Sequence, residues 1–468
     1  MTDPTPDPSM MSAAAIAAAF REGRLGARTV VAATLERIGR VDPAVNAFTD
    51  VLAERALARA HTLDAARARG EPLGPLAGVP FAAKNLVDIA GLPTRAGAKI
   101  NRERAPAERD GAVVRRMEAA GAILVGALNM GEYAYDFTGE NIHDGPTRNP
   151  HDLGHMAGGS SGGSGAAVGA GLVPIALGSD TNGSIRVPAA FCGCFGLKPT
   201  YGRLTRAGSF PFVGSLDHLG PLARSVADLA LAYDAMQGLD PDDPVAAEGP
   251  PEPVLPRLED GIEGYRIAVA GGYFARGGDP EAFEAVERVA RGLGCTRRVE
   301  IAEAARARAA AYLITAAEGA ALHLDRLRTR AADFDPAVRD RLIAGAMIPA
   351  PWIDRAQRFR RWYRTAFLDL FGEVDAILAP TAPCRAPKGG QTHFVLDGVT
   401  LPVRANVGVF TQPISFIGLP VVAVPVRVDA GLPLGVQVIA APWREEVALR
   451  IARRLERDGI VDATPAVL

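Results

Sequence analysis

The sequence has 468 residues, 48% hydrophobic and 22% charged, a balance that excludes a disordered chain and supports a large buried core. A net charge of −2 excludes the strong basic field that holds nucleic acid. No apolar run approaches the roughly 20 residues of a bilayer span, and Asp3 and Asp7 stand where a secretory leader carries positive charge. A cytoplasmic protein is expected, with no membrane and no direct nucleic-acid partner.

After a Pro-rich start expected to fray, residues 11–70 read as helices. "AAAIAAAFREGRL" and "ARTVVAATLERIGRV" place apolar residues at helical spacing, and "VLAERALARAHTLDAARARG" ends on a glycine stop. "PLGPLAGVPFAAKNLVDIAGLPTRAG" then switches to short apolar runs cut by Gly and Pro, as strands and tight connections are. "DGAVVRRMEAAGAILVGALNMGEYAY" repeats the helix-then-strand alternation, which predicts an α/β layer architecture. A Pro- and acid-rich stretch at 238–261 reads as a surface connection into a buried strand, "YRIAVAGGYF". Residues 280–375 are mostly helical. Strands return at "VDAILAPTAP", "PVVAVPV" and "GVQVIAA", and "EEVALRIARRLERDG" is the last helix. The domain organisation expected is an N-terminal helical segment at 1–70 and one α/β domain at 71–468, with a mainly helical excursion at about 262–375.

Four cysteines, Cys192, Cys194, Cys295 and Cys384, are too sparse and irregular for a disulfide framework. Cys192 and Cys194 lack the further ligands of a zinc site and read as buried small hydrophobes. No metal and no cofactor are expected. Lys84, Lys99, Lys198 and Lys388 are the only lysines, every other cation being arginine. Genome composition produces such a skew. Lysine also persists where arginine cannot substitute, as at a base that must lose its proton.

The stretch "AGGSSGGSGAAVGAGLVPIALGSDTNGSIRVPAAFCG", Ala157 to Gly193, admits several readings. A linker is polar throughout, and this run continues into apolar core-like sequence. A phosphate cradle needs a lysine or a complete dinucleotide fingerprint, and neither is present. G-x-S-x-G matches the nucleophile elbow, but polar "TRNPHDLGHMA" precedes it where a buried strand is required, and no downstream histidine is marked as its base. The remaining reading pairs serine with a lysine base: a buried ammonium can lose several pKa units and become a neutral acceptor. Lys84 sits in apolar "GVPFAAKNLVDIAG". Spacing alone leaves it open whether Lys84 is a satisfied buried lysine or a base.

"GVPFAAKN", "AGGSSGGSGAAVGAG", "GSDTNGSIRVPAAFCGCFGLKPTYGR" and "FTQPISFIGLP" resemble, in order and spacing, the amidase signature family, over nearly the whole chain. The resemblance implies that family's fold, a central mixed twisted β-sheet covered by helices on both faces. It implies amide hydrolysis through an acyl-enzyme, with Ser184 as nucleophile, Ser160 as bridging serine on a cis peptide bond and Lys84 as base. The 24-residue interval between the serines matches the family's own. The backbone amides of Thr181, Asn182, Gly183 and Ser184 are implied as the oxyanion hole. Most members carry glycine where Asn182 stands, and asparagine is expected to tolerate a left-handed backbone there, its side chain reaching the leaving-group region. Asp180 and Arg186 are expected as a structural ion pair, Ser161 as a hydrogen-bonded support and Lys198 as a rival base.

Within the family, "GSDTNGSIRVPA", "GRLTRAGSFPFVGSLDHLGP" and "AYDAMQGLDPDDP" are similar to a subgroup that removes ammonia from a small carboxylated, biuret-type amide. That similarity implies a small helical partner subunit, in a dimer or heterotetramer. A carboxylated substrate wants a fixed cation, for which Arg404 is the candidate, with Tyr135 as a second binding residue. Gly131 departs from the acidic residue expected there. The alternatives are a glutaminase subunit of a tRNA amidotransferase, a general amidase and a catalytically inert scaffold.

Overall fold

The computed structural model describes residues 7–468; the expected frayed start falls largely on 1–6, outside the described residues. Eleven strands form one mixed sheet. In chain order they are β1 (Phe48–Val51), β2 (Pro80–Lys84), β3 (Ile123–Leu128), β4 (Ile175–Asp180), β5 (Phe195–Lys198), β6 (His218–Ala223), β7 (Ile267–Ala270), β8 (Arg298–Val299), β9 (Ala376–Pro380), β10 (Val421–Val426) and β11 (Leu434–Ala440). Their spatial order is β1-β3-β2-β4-β6-β5-β10-β11-β9-β7-β8. The run β3-β2-β4 is parallel, the strands from β4 through to β9 pair antiparallel, and β9-β7-β8 is parallel again.

Strands β2, β3, β4, β10 and β11 are buried along their whole length. That is why they read as unbroken apolar runs such as "PVVAVPV" rather than alternating ones: both faces need covering. Helices supply the cover. The largest apolar cluster joins Val226–Met236 and Glu445–Arg457 to the sheet. A second packs Ala27–Val45, Ala53–Ala68 and Gly162–Gly169 against it.

The first 70 residues are not wholly helical. Phe48–Val51 is an edge strand antiparallel to β3; four residues are too few to display a period in the sequence. The block at 262–375 contains four α-helices, Pro280–Gly292, Ala304–Arg330, Pro336–Ala346 and Ala350–Leu370, and also β7 and β8, which extend the main sheet. No helix among the described residues is long and apolar enough to cross a membrane.

Candidate active site

Strand β2 ends on Lys84, whose side chain is fully buried beneath the glycine–serine segment. Its Nζ lies 2.8 Å from the hydroxyls of Ser160, Ser161 and Ser179. Burial pulls the Lys84 pKa down from 10.5 to about 7, against the opposing pull of the Asp180, Asp217 and Asp136 carboxylates. The amine is therefore ready to exchange a proton near neutrality.

The three serines are not equivalent. Ser161 Oγ donates to the Ser179 carbonyl at 3.0 Å and accepts from the Ser179 N–H at 3.2 Å. Its one proton is committed to the backbone. Ser160 Oγ has Lys84 as its partner. The Gly159–Ser160 peptide is cis, and the Ser160 carbonyl accepts from Gly131 N at 3.1 Å. A Cβ on Gly159 would sit 2.6 Å from Asp136 Oδ2 and 2.7 Å from Gly139 N, so only glycine lets this turn close.

Ser184, 3% exposed, lies on the loop between β4 and the short helix Arg186–Phe191. Its carbonyl accepts from Ser161 N at 3.3 Å, which fastens the two serine loops together. Asp180 organises the loop from below. Its carboxylate accepts from Gly183 N at 2.7 Å, Ile185 N at 3.2 Å, and Arg186 Nε and Nη2 at 3.0 Å each. Burial alone would push that carboxyl up, but Arg186 overcomes it and holds it below the usual range. Arg186 is itself spent on Gln437, Thr411 and Ser415, so this fully buried pair supports the loop and faces no substrate.

Two expectations for the loop need correction. The Gly183 N–H is taken up by Asp180 and is not free to face an oxyanion; the amides of Thr181, Asn182 and Ser184 have no hydrogen-bond partner among the described residues. The positive φ falls on Gly183, at +140°, and not on Asn182. A Cβ on Gly183 would come within 2.2 Å of Thr411 Oγ1, which donates to the Asn182 carbonyl at 2.7 Å. Asn182 instead directs Nδ2 to Thr315 Oγ1 at 2.9 Å.

Lys198 lies on β5, outside the serine cluster. It is fully buried and its pKa is lowered to about 7 by burial and by Arg186, yet Nζ is engaged by the Pro199 carbonyl at 3.0 Å and His218 Nε2 at 3.2 Å. No serine hydroxyl is among its partners, so the rival base has nothing to deprotonate.

Ser184 opens onto a narrow recess of about 20 Å³, lined by Tyr135, Asn182, Thr315, Arg341 and Arg404 among others. A second cavity of about 160 Å³ holds Ser179 and Asp217 and shares Ala134, Thr181 and Phe212 with it as a common wall. Arg404 and Tyr135 thus both reach the recess, but Arg404 Nη1 already pairs with Asp136 Oδ1 at 2.9 Å. Ser179, Thr411, Thr315 and Arg341 carry no signal in the sequence that marks them for this site. Arg341 sits in an arginine-rich helical block that gives it no local signature. No cluster of potential metal ligands occurs among the described residues, and burial pushes the Cys192 and Cys194 thiols up, away from thiolate.

With the geometry in view, comparison with known proteins identifies the group. The amidase family model matches residues 29–449. This chain belongs to the amidase signature family. The AtzE subunit of 1-carboxybiuret hydrolase from Pseudomonas sp. (strain ADP) is 54% identical over 440 residues, covering 94% of this chain and 96% of that protein. A glutamyl-tRNA(Gln) amidotransferase chain from Roseiflexus sp. (strain RS-1) is 38% identical, with 94% of each chain covered. A solved structure of an s-triazine catabolic enzyme, described in a vestigial protein complex, superposes with a TM-score of 0.96 at 52% identity, over 97% of this chain and 100% of that one. A bacterial aryl acylamidase of the amidase signature enzymes superposes at 0.89 with 28% identity, over 96% of both. The mixed sheet with its helical cover is that family's fold, and the protein is an amidohydrolase acting on amide C–N bonds.

Proposed function

We propose that this amidase hydrolyses a small carboxylated, biuret-type amide, with 1-carboxybiuret as the leading substrate, releasing ammonia through an acyl-enzyme on Ser184. The observation that carries the chemistry is the stoichiometry at Lys84. A neutral amine has two protons and one lone pair, and three hydroxyls surround it at 2.8 Å. The Ser161 proton is held by a carbonyl, so Ser161 accepts from Lys84. With Ser179 as the other acceptor, the lone pair is left for the Ser160 hydroxyl. That is the arrangement of a base receiving a proton through Ser160.

In the first half-reaction Ser184 Oγ attacks the amide carbonyl while its proton passes to Ser160 and that of Ser160 to Lys84. Backbone amides of Thr181, Asn182 and Ser184 face the developing oxyanion, each such donor being typically worth about 3–4 kcal/mol. The tetrahedral adduct expels nitrogen, which takes the relayed proton back and leaves as ammonia. Water then attacks the acyl-Ser184 ester by the same relay, giving the carboxylate product and regenerated serine. Every proton taken up by Lys84 is returned, so no metal or cofactor enters the balance.

The preference for a carboxylated urea derivative rests on the 54% identity to the AtzE subunit of 1-carboxybiuret hydrolase and on a cation in the recess. That relative is one subunit of its enzyme, and the s-triazine enzyme was solved in a protein complex; a small helical partner, in a dimer or heterotetramer in the cytoplasm, belongs to the same proposal. The test is ammonia release from 1-carboxybiuret made in situ, biuret, glutamine and an aliphatic amide, with Ser184→Ala alongside. Turnover of carboxybiuret well above the others, abolished by Ser184→Ala, is expected. Preferential turnover of glutamine would replace the substrate and keep the acyl transfer.

A further inference from the structure

The helix Ala350–Leu370 borders a cleft of about 310 Å³. This cleft shares no lining residue with the recess before Ser184 or with the cavity beside it. Gln357, Arg360, Arg361 and Arg364 line it, at the i, i+3, i+4, i+7 spacing of one helical face. Tyr201 and Trp443 complete the wall, and no carboxylate belongs to the lining among the described residues. Like charges three and four residues apart on a helix repel, so gathering three guanidiniums here costs free energy unless an anion offsets it. The acids close by are committed elsewhere. Glu318 accepts from the Ser215 N–H at 3.2 Å and from its hydroxyl at 2.5 Å, and Asp354 pairs with Arg358 at 2.7 Å.

Arg360 is the fixed member of the three. Its Nε donates to the Phe416 carbonyl at 2.5 Å and its Nη2 to the Ser215 carbonyl at 2.8 Å. Nη1 has no partner among the described residues. Burial and the neighbouring Arg364 pull this guanidinium below the usual arginine value, as befits a cation short of negative charge. Arg361 and Arg364 have neither a carboxylate within 4.0 Å nor a carbonyl partner among the described residues. The aromatic side of the cleft is held firmly. Tyr201 Oη donates to the Gly214 carbonyl at 2.6 Å, and the Tyr201 N–H to the Gly418 carbonyl at 3.0 Å. Trp443 has φ +67°, a costly conformation for an aromatic residue, with its N–H donated to Thr200 Oγ1 at 2.8 Å. The Arg203 guanidinium carbon lies 4.7 Å from the Trp443 ring centre, yet 42% of the residue stays exposed. A stiff indole thus lies beside concentrated positive charge.

We propose that this cleft binds a nucleoside diphosphate, with its phosphates on Arg360, Arg361 and Arg364 and its base against Trp443. Guanidinium forks match phosphate oxygens, and a diphosphate carries enough charge to offset several of them. An indole is a stacking platform for any flat base. With no carboxylate in the lining, the site offers nothing to a divalent cation, so the ligand is taken as the metal-free anion. The proposal is independent of which amide is cleaved at Ser184.

The test is calorimetric titration of the purified full chain with ADP, pyrophosphate and adenosine, in EDTA at physiological ionic strength. ADP is expected to bind more tightly than pyrophosphate, and adenosine not measurably. Arg361→Gln and Arg364→Gln are each expected to weaken ADP about tenfold. Trp443→Leu is expected to weaken ADP about tenfold while leaving pyrophosphate within about twofold. None of these residues lines the recess, so ammonia release and Tm are expected to stay at the wild-type level in all three variants. Absence of ADP binding overturns the site, as does an Arg361→Gln, Arg364→Gln double variant that binds ADP like the wild type. Pyrophosphate that binds as tightly as ADP, and equally well to Trp443→Leu, overturns the nucleotide. The titration is repeated with any partner subunit that co-purifies, and the same affinity is expected. Loss of ADP binding there would make the cleft a protein's seat and overturn the proposal.

Discussion

Ser160 and Ser161 are chain neighbours at the same 2.8 Å from Lys84 Nζ, and only Ser161 has its proton fixed, on the Ser179 carbonyl at 3.0 Å. Identical distances conceal a difference in which hydroxyl proton is already committed. Ser161 is an acceptor toward the lysine, and Ser160 is free to be a donor.

That difference separates two variants of nearly the same volume. Ser160→Ala interrupts the proposed relay and is expected to lower kcat by at least about a thousandfold. Ser161→Ala removes a support, leaving Ser179 to orient Lys84, and is expected to cost about tenfold in kcat with some loss of Tm. Steady-state ammonia release with a melting curve for each checks this. Equal losses would mean the two hydroxyls play one role.

The buried lysine fixes the pH behaviour. The amine must be neutral to accept a proton, so kcat/KM is expected to fall as pH drops through about 7, with a plateau above. Stability carries the same sign. Folding lowers Lys84 from 10.5 to about 7, so the unfolded chain binds the extra proton within that window. Stability at Lys84 is highest above 10.5, falls as pH falls toward 7 and levels off below it. Lys84→Met is expected to abolish turnover and to flatten part of that slope, Lys198 retaining its own share. Denaturant melts from pH 7 to 10 of both proteins read the difference; parallel curves would contradict it.

Much of the fold was legible because strands buried on both faces write themselves as apolar runs, and because Gly and Pro punctuate the ends of β2, β3 and β10. The edge strand Phe48–Val51 was not, since pairing with β3 decides it and four residues hold no period. At the site, Lys84, Ser160 and Ser184 stood out through family spacing and scarce lysine. Asp180's claim on the Gly183 amide did not, because a loop's hydrogen-bond polarity depends on how the chain folds back on itself. Arg341 and Arg404 look alike in sequence; only Asp136, Asp335 and Glu140, within 4.0 Å of Arg404, tell them apart.

Arg186 and Asp180 are a buried pair in which either partner alone is a liability. Arg186→Leu leaves the carboxylate without its cation and is expected to destabilise the protein by about 3–5 kcal/mol. Arg186→Lys keeps charge but loses the double contact to Asp180, and is expected to fall between. Because Arg186 depresses the Asp180 pKa, this contribution is present above the ordinary carboxyl range and is lost as pH falls through the lowered value. Chemical denaturation at pH 7 and pH 3 tests both claims: the gap between wild type and Arg186→Leu should narrow in acid.

Gly183 links stability to chemistry. At φ +140° a side chain is strained, and a Cβ would overlap Thr411 Oγ1 at 2.2 Å. Gly183→Ala is expected to cost about 2–4 kcal/mol in stability and to lower kcat by a hundredfold or more, because the loop that moves carries Ser184 and its neighbouring amides. Thr411→Ala removes the clash along with the hydrogen bond to the Asn182 carbonyl. If overlap contributes beside backbone strain, Gly183→Ala combined with Thr411→Ala is less damaged than the two single losses summed, by about 1 kcal/mol or more. Simple additivity in a double-mutant cycle would assign the whole cost to φ and leave Thr411 out of the positioning of Ser184.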